Sequence, residues 1–476
     1  MSGPLAIWIL VLGASAASAA PPALTGLHPA GLAIGGPEVI VEAIGTSAWP
    51  VKAWCSSPSV RIEPLEEKGK LRIAANADAM PGPVLIRLYN AEGSSEARIF
   101  VLGRGPEILE TQPNDRLADA QAITTLPVTV NGIFEKRGDV DFFRLTLRKG
   151  QTISAQLDSY VLRSEIDPFL HLIAPDGREL ALASDTQNLD PALVAEIPAD
   201  GVYIVELNAI GHKANAEVSF AGGKDKVYRL HLQAGPLAQP DLPKPDSLEG
   251  PGPVKAPCRI QGTLSAPGER DRYRIEAEPG AKLRIRVEAA SLHLPMDPVL
   301  RVYRPDGGLL REIDDAGTLP DPVYDLTVPK DGFFDAEVRD RFRRQGMIYQ
   351  LVVGPVVPVF RVTATQDAVM VPAGKSAELT LQLTREDGHS APLELALADL
   401  PAGVTWKAEA IPDKTGPFKL TLSAPETAAA FQGPFHITVG TQPVVRTWQT
   451  EESRGDYLIN ETADFWITVT PAPAPK

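Results

Sequence analysis

Cysteine and basic residues are scarce in this chain. Only two cysteines, Cys55 and Cys258, occur in 476 residues, which excludes a disulfide network as the general source of stability. They fall in different predicted domains, so they are either two unpaired buried thiols or one bridge between domains. The 46 Lys and Arg residues are outnumbered by 60 Asp and Glu, and the formal net charge is −14. Because a surface of that sign repels phosphate backbones, we expect no nucleic-acid partner.

Long apolar runs are also missing. A bilayer takes about 20 consecutive apolar residues, and the run at residues 5–12 is well short of that. A small-residue stretch with Ala17-Ser18-Ala19 as a cleavage site follows it, which predicts a signal peptide over residues 1–20 even though no Lys or Arg precedes the run. The alternative is an uncleaved membrane anchor. We expect an exported protein, extracellular or periplasmic, without membrane insertion.

Signatures of catalysis are absent too. The sequence has no Gly-x-Ser-x-Gly elbow, no His-Glu-x-x-His helix, no Walker loop and no Gly-x-Gly-x-x-Gly after a strand. Asp139 with Asp141, and Asp314 with Asp315, could act as acid/base pairs, but the preference of Asp for tight turns explains them as well. Three tryptophans of the last predicted domain either stack on sugars or pack in a core: Trp406, Trp448 and Trp466. We predict that the chain is not an enzyme and has no catalytic residue.

Proline and glycine are plentiful, at 45 and 39 residues, and the apolar stretches between them are short. That composition favours strands joined by turns over helices. The sequence also repeats itself at an offset of 130 residues. Gly132, Asp141, Phe143, Asp167 and Gly177 in one copy match Gly262, Asp271, Tyr273, Asp297 and Gly307 in the other. A repeat of this length indicates that one kind of domain occurs twice.

Alternating apolar and polar residues mark the strands of both copies. We expect one core to receive Phe143, Leu145, Tyr203 and Leu207, and the other to receive Tyr273, Ile275 and Phe333. Four segments are expected to turn hairpins: Lys149-Gly150, Pro279-Gly280 and the Pro-Asp-Gly segments ending at Gly177 and Gly307. Seven or eight short antiparallel strands per copy fit a jelly roll.

The chain is therefore predicted to be all-β, a string of four β-sandwich domains of which the two central ones are jelly-roll-like. The predicted domains span 21–104, 107–235, 255–355 and 358–470. Residues 236–254 are rich in proline and predict a stiff extended linker, so the two copies should fold as separate units. The Pro-Ala tail at 471–476 is expected to be disordered.

Six segments of the first copy occur together in one known family: Gln112-Pro113-Asn114-Asp115, Gly138-Asp139-Val140-Asp141-Phe142-Phe143, Lys149-Gly150-Gln151, Asp167-Pro168, Pro175-Asp176-Gly177 and Pro198-Ala199-Asp200-Gly201-Val202-Tyr203. Through them, residues 107–235 resemble the bacterial pre-peptidase C-terminal domain, a jelly roll also known as the collagen-binding domain of secreted collagenases. The second copy looks like a diverged member, because it lacks the Pro-Asn-Asp segment and has Glu269 where the first has Asp139.

The outer blocks carry weaker resemblances. Residues 21–104 look like a TIG-type, immunoglobulin-like domain through His28-Pro29-Ala30-Gly31 and Gly35-Gly36. The last block is similar to the Ig-like domains appended to bacterial glycosidases through Leu400-Pro401-Ala402-Gly403-Val404. This order of blocks resembles that of exported modular proteins of environmental bacteria.

The resemblance to the pre-peptidase domain also implies a calcium site. In calcium-binding members a Glu-x-Glu-Pro-Asn-Asp segment joins acidic residues of the Gly-Asp-x-Asp loop around the ion. Carried over to this chain, the metal ligands are Glu110, Asn114, Asp115, Asp139 and Asp141. Their oxygens suit Ca²⁺, but Gln112 stands where the family has its second Glu and should weaken the affinity. The alternative is that Asn114 and Asp115 only cap a turn, and the second copy is expected not to bind calcium.

These features predict an exported, non-catalytic modular protein that contacts a polymer, a cell surface or a protein partner. The alternative is an accessory or substrate-targeting component of a secreted peptidase or glycosidase, with the chemistry on another polypeptide. No residue pattern tells a polysaccharide partner from a protein partner.

Overall fold

The computed structural model describes residues 20–186, 188–211, 219–237, 247–248, 252–292, 294–315, 321–448 and 457–471. The predicted signal peptide up to residue 19, most of the predicted linker and residues 472–476 of the tail lie outside the described residues. The described residues form forty β-strands and three short 3-10 helices. The predicted all-β class and the string of β-sandwich domains are confirmed.

The first domain is a sandwich of two sheets. Its strands are β1 (Ala23–His28), β2 (Gly31–Ala33), β3 (Val39–Thr46), β4 (Lys52–Cys55), β5 (Val60–Pro64), β6 (Lys70–Ala75), β7 (Gly82–Asn90), β8 (Gly93–Ser94) and β9 (Arg98–Gly103). One sheet has the order β1-β3-β6-β5 and the other β2-β9-β7-β4. Lettered along the chain, these are the ABED and GFC sheets of an immunoglobulin fold, with β2 added in parallel to β9.

The second domain is a jelly roll. Its strands are β10 (Glu107–Leu109), β11 (Gln121–Ile123), β12 (Val128–Ile133), β13 (Val140–Leu147), β14 (Thr152–Asp158), β15 (Ile166–Ile173), β16 (Glu179–Ala183), β17 (Ala192–Glu196), β18 (Gly201–Gly211) and β19 (Val227–Ala234). The sheet orders are β10-β12-β19-β14-β17 and β11-β13-β18-β15-β16. If the short β10 and β11 are set aside, eight strands remain. The first of these pairs with the eighth (β12 with β19) and the second with the seventh (β13 with β18), which is the jelly-roll pairing.

The third domain repeats this topology strand for strand. Its strands are β20 (Ser247–Leu248), β21 (Val254–Lys255), β22 (Cys258–Leu264), β23 (Asp271–Glu276), β24 (Lys282–Glu288), β25 (Pro298–Tyr303), β26 (Leu309–Ile313), β27 (Val323–Thr327), β28 (Phe333–Asp340) and β29 (Met347–Pro355). The sheet orders are β20-β22-β29-β24-β27 and β21-β23-β28-β25-β26. Strand β20 lies within the Pro-rich segment 236–254. The short 3-10 helices are Leu117–Asp119, Tyr160–Leu162 and Ala290–Leu292.

Two of the four expected hairpins are wrong. Strands β13 and β14 belong to different sheets, as do β23 and β24, so Lys149-Gly150 and Pro279-Gly280 carry the chain across the sandwich. The reason is that alternation tells which face of a strand is buried but not which sheet the next strand joins. Both Pro-Asp-Gly segments do turn hairpins, between β15 and β16 and between β25 and β26.

The fourth domain is a second immunoglobulin-type sandwich. Its strands are β30 (Val359–Ala364), β31 (Ala368–Pro372), β32 (Ser376–Glu386), β33 (Leu395–Ala398), β34 (Thr405–Ala408), β35 (Gly416–Ser423), β36 (Phe431–Val439), β37 (Gln442–Pro443), β38 (Val445–Thr447), β39 (Glu461–Thr462) and β40 (Phe465–Thr470). The sheet orders are β34-β35-β32-β30-β38-β39 and β31-β40-β36-β33. The excursion between β36 and β40 adds β38 and β39 to the edge of the first sheet.

Each domain has its own core, and the cores of the second and third domains are separate. Six of the seven predicted core residues are buried: Phe143, Leu145, Tyr203, Leu207, Tyr273 and Ile275. The prediction for Phe333 is wrong, because Phe334 fills the core and Phe333 is only half-buried. One residue is inserted before this strand in the second copy, so Phe334 corresponds to Tyr203.

The first and fourth domains dock on each other through β7 and β40. Both strands are buried on both faces over five consecutive residues. One face of each strand fills its own core, and the opposite face carries Arg87 on β7 and Trp466 on β40. The Arg87 guanidinium pairs with the Asp367 carboxylate of the fourth domain. The Trp466 ring lies 4.8 Å from Tyr89 and 5.9 Å from Trp54. The string of domains is therefore folded back on itself.

A second junction joins three domains. The backbone N–H of Leu458 in the fourth domain donates to the Val161 carbonyl of the second at 3.0 Å. The Arg163 guanidinium lies 4.7 Å from the Trp448 ring and donates to the Ala97 carbonyl of the first domain at 3.0 Å. Apolar residues of all three domains pack around these contacts. No disulfide joins Cys55 to Cys258.

Candidate functional site

The predicted calcium ligands come from two segments of the second domain. Glu110 follows β10 directly, and Asn114 lies four residues later. Asp139 and Asp141 stand at the beginning of β13. The backbone ties the two segments together, because the Phe142 N–H donates to the Asn114 carbonyl at 3.1 Å. The fold thus brings Asn114, Asp139 and Asp141 into one buried region next to Glu110.

Glu110 is the most heavily bonded member of this cluster. Its carboxylate accepts hydrogen bonds from Gln112 Nε2 at 3.2 Å, Asn114 Nδ2 at 2.8 Å, the Tyr228 hydroxyl at 3.1 Å and the Ile133 backbone N–H at 3.0 Å. The same Tyr228 hydroxyl lies 2.9 Å from Asp141 Oδ2. A hydroxyl has one proton, so it can bond both carboxylates only if one of them is protonated and donates to it.

Three other oxygens of the cluster have no hydrogen-bond partner. They are Asn114 Oδ1, Asp139 Oδ1 and Asp141 Oδ1, on side chains of residues that are 0–2 % exposed. A buried acceptor left without a partner costs about 1–3 kcal/mol, and more when it is charged. Three such atoms in one cluster would be satisfied by an electrophilic partner, either a cation or a hydrogen-bond donor.

The remaining predicted ligand, Asp115, lies nearer the surface. Its carboxylate pairs with the Lys136 ammonium, which is also 3.6 Å from Asp139 Oδ1. Asp139 Oδ2 accepts a hydrogen bond from the Glu135 backbone N–H at 2.6 Å, which fixes the carboxylate in its turn. Lys136 therefore offsets part of the negative charge at the outer side of the cluster.

Burial changes the acidity of the inner groups. It raises the pKa of Glu110, although hydrogen bonds with Asp141, the Ile133 backbone N–H, Asn114 and Tyr228 oppose the change. It raises the pKa of Asp141 well above the ordinary range, and the nearby charge of Glu110 acts in the same direction. The pKa of Tyr228 is raised by burial and by the two carboxylates that it faces. This trio therefore favours one shared proton over two adjacent negative charges.

The cluster fits an oxygen-binding cation better than a transition metal. Within the described part of the chain, no group of three or more His, Cys, Asp or Glu side chains is arranged as a metal site by those residues alone. Here the donor set combines carboxylates with the Asn114 amide, and Ca²⁺ accepts both kinds of oxygen. The three oxygens without partners are the observation that supports this fit.

The third domain has an equivalent of the Asp141 and Tyr228 pair, but without an acidic cluster around it. Asp271 and Tyr349 correspond to Asp141 and Tyr228, and the Tyr349 hydroxyl donates to Asp271 Oδ2 at 2.6 Å. The Tyr273 hydroxyl lies 2.7 Å from that of Tyr349, which places a neutral hydroxyl where the second domain has the Glu110 carboxylate. Glu269 accepts the Ala266 backbone N–H at 2.7 Å, as Asp139 does for Glu135. One carboxylate beside two hydroxyls is a poor cation site.

Tyr228 is the residue of this cluster that the sequence reasoning missed. It is 87 residues from Asp141 and sits on a strand that alternation assigns only to a core. Its ring fills the space above Gly132, where a Cβ atom would lie 2.3 Å from the ring. Gly262 faces Tyr349 at the same distance in the third domain. The repeated glycine, matched across the two copies, was the available signal.

The other candidate residues lie apart from this cluster. Trp448 and Trp466 are buried at domain junctions, whereas Trp406 is 41 % exposed on the edge strand β34. The three tryptophans do not form one platform, because two of them pack inside the protein. Asp314 and Asp315 lie 3.6 Å and 4.0 Å from the Arg341 guanidinium, as surface ion pairs.

Fold and site together define a modular protein with four β-sandwich domains, two of immunoglobulin topology around two jelly rolls, and one acidic cluster in the first jelly roll. No protein-family model matches the chain. The chain is similar to a probable subtilase-type serine protease of Deinococcus radiodurans, with 33 % identity over 130 residues. That similarity covers 26 % of this chain and spans only 18 % of the protease. It does not assign the chain to a family.

Similarity to solved structures is low. The N-terminal four Ig domains of Dscam1 isoform 7.44 align with 12 % identity and a TM-score of 0.22, covering 96 % of this chain and 100 % of that one. Immunoglobulin domains 1–4 of Sidekick-1 align with 11 % identity and a TM-score of 0.23, covering 94 % of this chain and 97 % of that one. Domains 4 and 5 of the S-layer protein SbsC align with 14 % identity and a TM-score of 0.18, covering 37 % of this chain and 71 % of that one. Scores this low carry no argument about function or domain arrangement. In the part of the chain that the structure describes, no helix has the length and apolarity that membrane crossing requires.

Proposed function

We propose that this chain is an exported, non-catalytic modular protein that binds a polymer, a cell surface or a protein partner, and that its second domain holds a calcium ion. The three buried oxygens without a hydrogen-bond partner, on Asn114, Asp139 and Asp141, are the observation that carries the calcium site. These residues would hold the ion, with Glu110 beside them. When bound, calcium supplies positive charge that neutralises the buried carboxylates.

The docking of the domains supports a binding role. Arg87 and Trp466 are buried between the first and fourth domains, and Arg163 stacks on Trp448 where three domains meet. Arg284 of the third domain forms two hydrogen bonds of 2.8 Å to the Asp387 carboxylate of the fourth. Contacts of this kind hold the sandwiches in fixed positions, so that several domains present one preformed surface to a partner.

A second candidate function is that of an accessory or substrate-targeting component of a secreted peptidase. The similarity of 130 residues to part of a probable subtilase-type serine protease supports it, because a domain shared with such an enzyme would suit delivery of the enzyme to its substrate. On this proposal the chemistry resides on another polypeptide.

Retention and turnover assays with the purified full chain test these proposals. The protein is incubated with casein, gelatin, cellulose and chitin and with the envelope fraction of the source organism, and bound protein and released products are both measured. Retention without turnover is expected. Turnover would overturn the non-catalytic proposal, and absence of retention on every material would overturn the binding proposal. Recovery of peptidase activity with the retained protein would favour the accessory role.

A further inference from the structure

An apolar groove lies between the first and second domains. It has a volume of about 300 Å³ and is lined on one side by Val39 and Ile40 of the first domain and on the other by Ile108 and Leu109 of the second. Ile40 is 47 % exposed and Leu109 is 52 % exposed. Apolar side chains grouped around a groove at a domain boundary are typical of a binding surface.

Strand β10, which lines the second side of the groove, lies at the edge of its sheet. Strand β10 pairs only with β12 among the described strands. The Glu110 N–H donates to the Asn131 carbonyl and the Thr129 N–H to the Pro106 carbonyl, so residues 106, 108 and 110 face β12. In a parallel ladder the intervening residues, Glu107 and Leu109, then direct their backbone groups to the free edge.

Only part of this edge is covered by the chain itself. The Gln121 side chain donates to the Leu109 carbonyl at 3.0 Å. This leaves the N–H and C=O of Glu107 and the N–H of Leu109 as the backbone groups that an added strand would meet. Proteins usually blunt such edges with charge or proline, whereas this one carries two exposed apolar side chains, Ile108 and Leu109.

Buried polar side chains beneath the groove tie β10 to its neighbouring strands. Asn131 is 1 % exposed and lines the groove, and its Nδ2 donates to Glu107 Oε2 at 2.8 Å. Its Oδ1 has no hydrogen-bond partner. Glu107 in turn is held by the Arg229 guanidinium, which is also buried. These buried side chains tie β10 to β12 and β19, so the free edge is held in place.

We propose that this groove binds an extended apolar peptide segment of a protein partner, which adds a strand to the free edge of β10. Backbone groups at the edge and apolar side chains beside them are together the features of recognition by strand addition. A lipid or a glycan would use the walls but not the periodic N–H and C=O groups of the edge. The inference rests on the proposed binding function and names the chemistry of one partner.

The test uses a phage-displayed library of random dodecapeptides, panned against the full chain. Enriched peptides are synthesised with a fluorophore, and their affinity is measured by anisotropy for the parent and for Leu109→Lys, Ile40→Asp and Leu182→Lys. Leu182 is 53 % exposed on β16 and serves as the matched control. We expect the enriched peptides to have apolar residues at alternate positions. Their affinity should fall at least tenfold for the two groove variants and stay unchanged for the control. Amide exchange at Glu107 and Leu109 should slow when peptide is bound.

Peptides that bind Leu109→Lys and Ile40→Asp as tightly as the parent would overturn the proposal. So would a peptide with N-methylated alternate amides that keeps its affinity, because it cannot pair with a strand edge. If no peptide is enriched but the chain is still retained on a polymer or on the envelope, only the groove proposal is lost. Failure of both assays would remove the proposed binding function as well.

Discussion

Two buried carboxylates dominate the chemistry at the scale of single residues. Glu110 and Asp141 lie within hydrogen-bond reach of the same Tyr228 hydroxyl. Burial raises the pKa of both, and for Asp141 the charge of Glu110 adds to the effect. The folded, calcium-free protein therefore keeps a proton that the unfolded chain has already lost at the same pH.

This difference predicts a pH dependence with a definite sign. A raised carboxyl pKa in the folded state contributes stability in full below the ordinary pKa values of 3.8 and 4.5, and the contribution is lost as the pH rises through the folded-state pKa. In chelator, the melting temperature should therefore fall as the pH rises from acid to neutral. Bound calcium should abolish the part of this fall in melting temperature that comes from Glu110 and Asp141, because the charge of the ion replaces the shared proton. Thermal melts between pH 4.5 and pH 8, with calcium or with chelator, measure both effects.

Asp141→Asn is the informative variant for this pH dependence. It removes the buried charge and should reduce the pH dependence in chelator. The remaining part includes that of Asp190, whose pKa burial raises to about 7. Asp271→Asn in the third domain should leave the slope of the parent. If the melting temperature of Asp141→Asn depends on pH as steeply as that of the parent, the proton is not held by the Glu110 and Asp141 pair.

The resemblance named the residues of the cluster because they lie in two short segments with a recognisable order; their role as calcium ligands stays a prediction. The sequence alone did not indicate that Glu110 is saturated by donors while Asn114, Asp139 and Asp141 each keep an oxygen without a partner. That distinction depends on Tyr228, which long-range folding brings to the cluster.

At the scale of strands, alternation explains most of what the sequence could predict. Strand β13 is buried at Phe143, Leu145 and Leu147 and exposed at Arg144 and Thr146, as a period of two requires. Alternation did not predict the partner of each strand, which is why two turns assigned to hairpins are crossovers between sheets. It also failed at Phe333 and Phe334, because two adjacent aromatic residues fit either register.

The two adjacent phenylalanines give a matched test of the β28 register. Phe334 is fully buried, so Phe334→Ala should cost about 3–5 kcal/mol of unfolding free energy. Phe333 is half-buried with the Arg274 guanidinium 4.3 Å from its ring, so Phe333→Ala should cost only about 1 kcal/mol. Chemical denaturation of both variants measures the difference, and equal costs would contradict the register described here.

At the scale of the whole molecule, the docking of the first and fourth domains was not predicted. Arg87 and Asp367 are 280 residues apart, and a charged residue in a strand is ordinarily assigned to a solvated face. The available signals were the apolar runs at 84–88 and 465–469, since strands buried on both faces lose their alternation. In this protein such runs mark the two surfaces that meet.

This docking predicts the behaviour of the chain after a cut in the Pro-rich segment. A protease site introduced between residues 238 and 246 should give two fragments that still elute together in size-exclusion chromatography. Arg87→Ala should weaken the association strongly, because removing one member of a buried ion pair costs about 3–5 kcal/mol. Lys419→Ala, which breaks the exposed pair with Glu378, should have no effect. Fragments of the parent that separate at once would contradict the docked arrangement.

Calcium titration of the full chain tests the central claim most directly. Isothermal calorimetry should show one site per chain that is lost in the double variant Asp139→Ala with Asp141→Ala and kept in Glu269→Ala with Asp271→Ala. In parallel, millimolar calcium should raise the melting temperature of the parent, because a ligand that binds only the folded state stabilises it. No heat and no thermal shift in the parent, or the same binding in the Asp139 and Asp141 double variant, would contradict the claim.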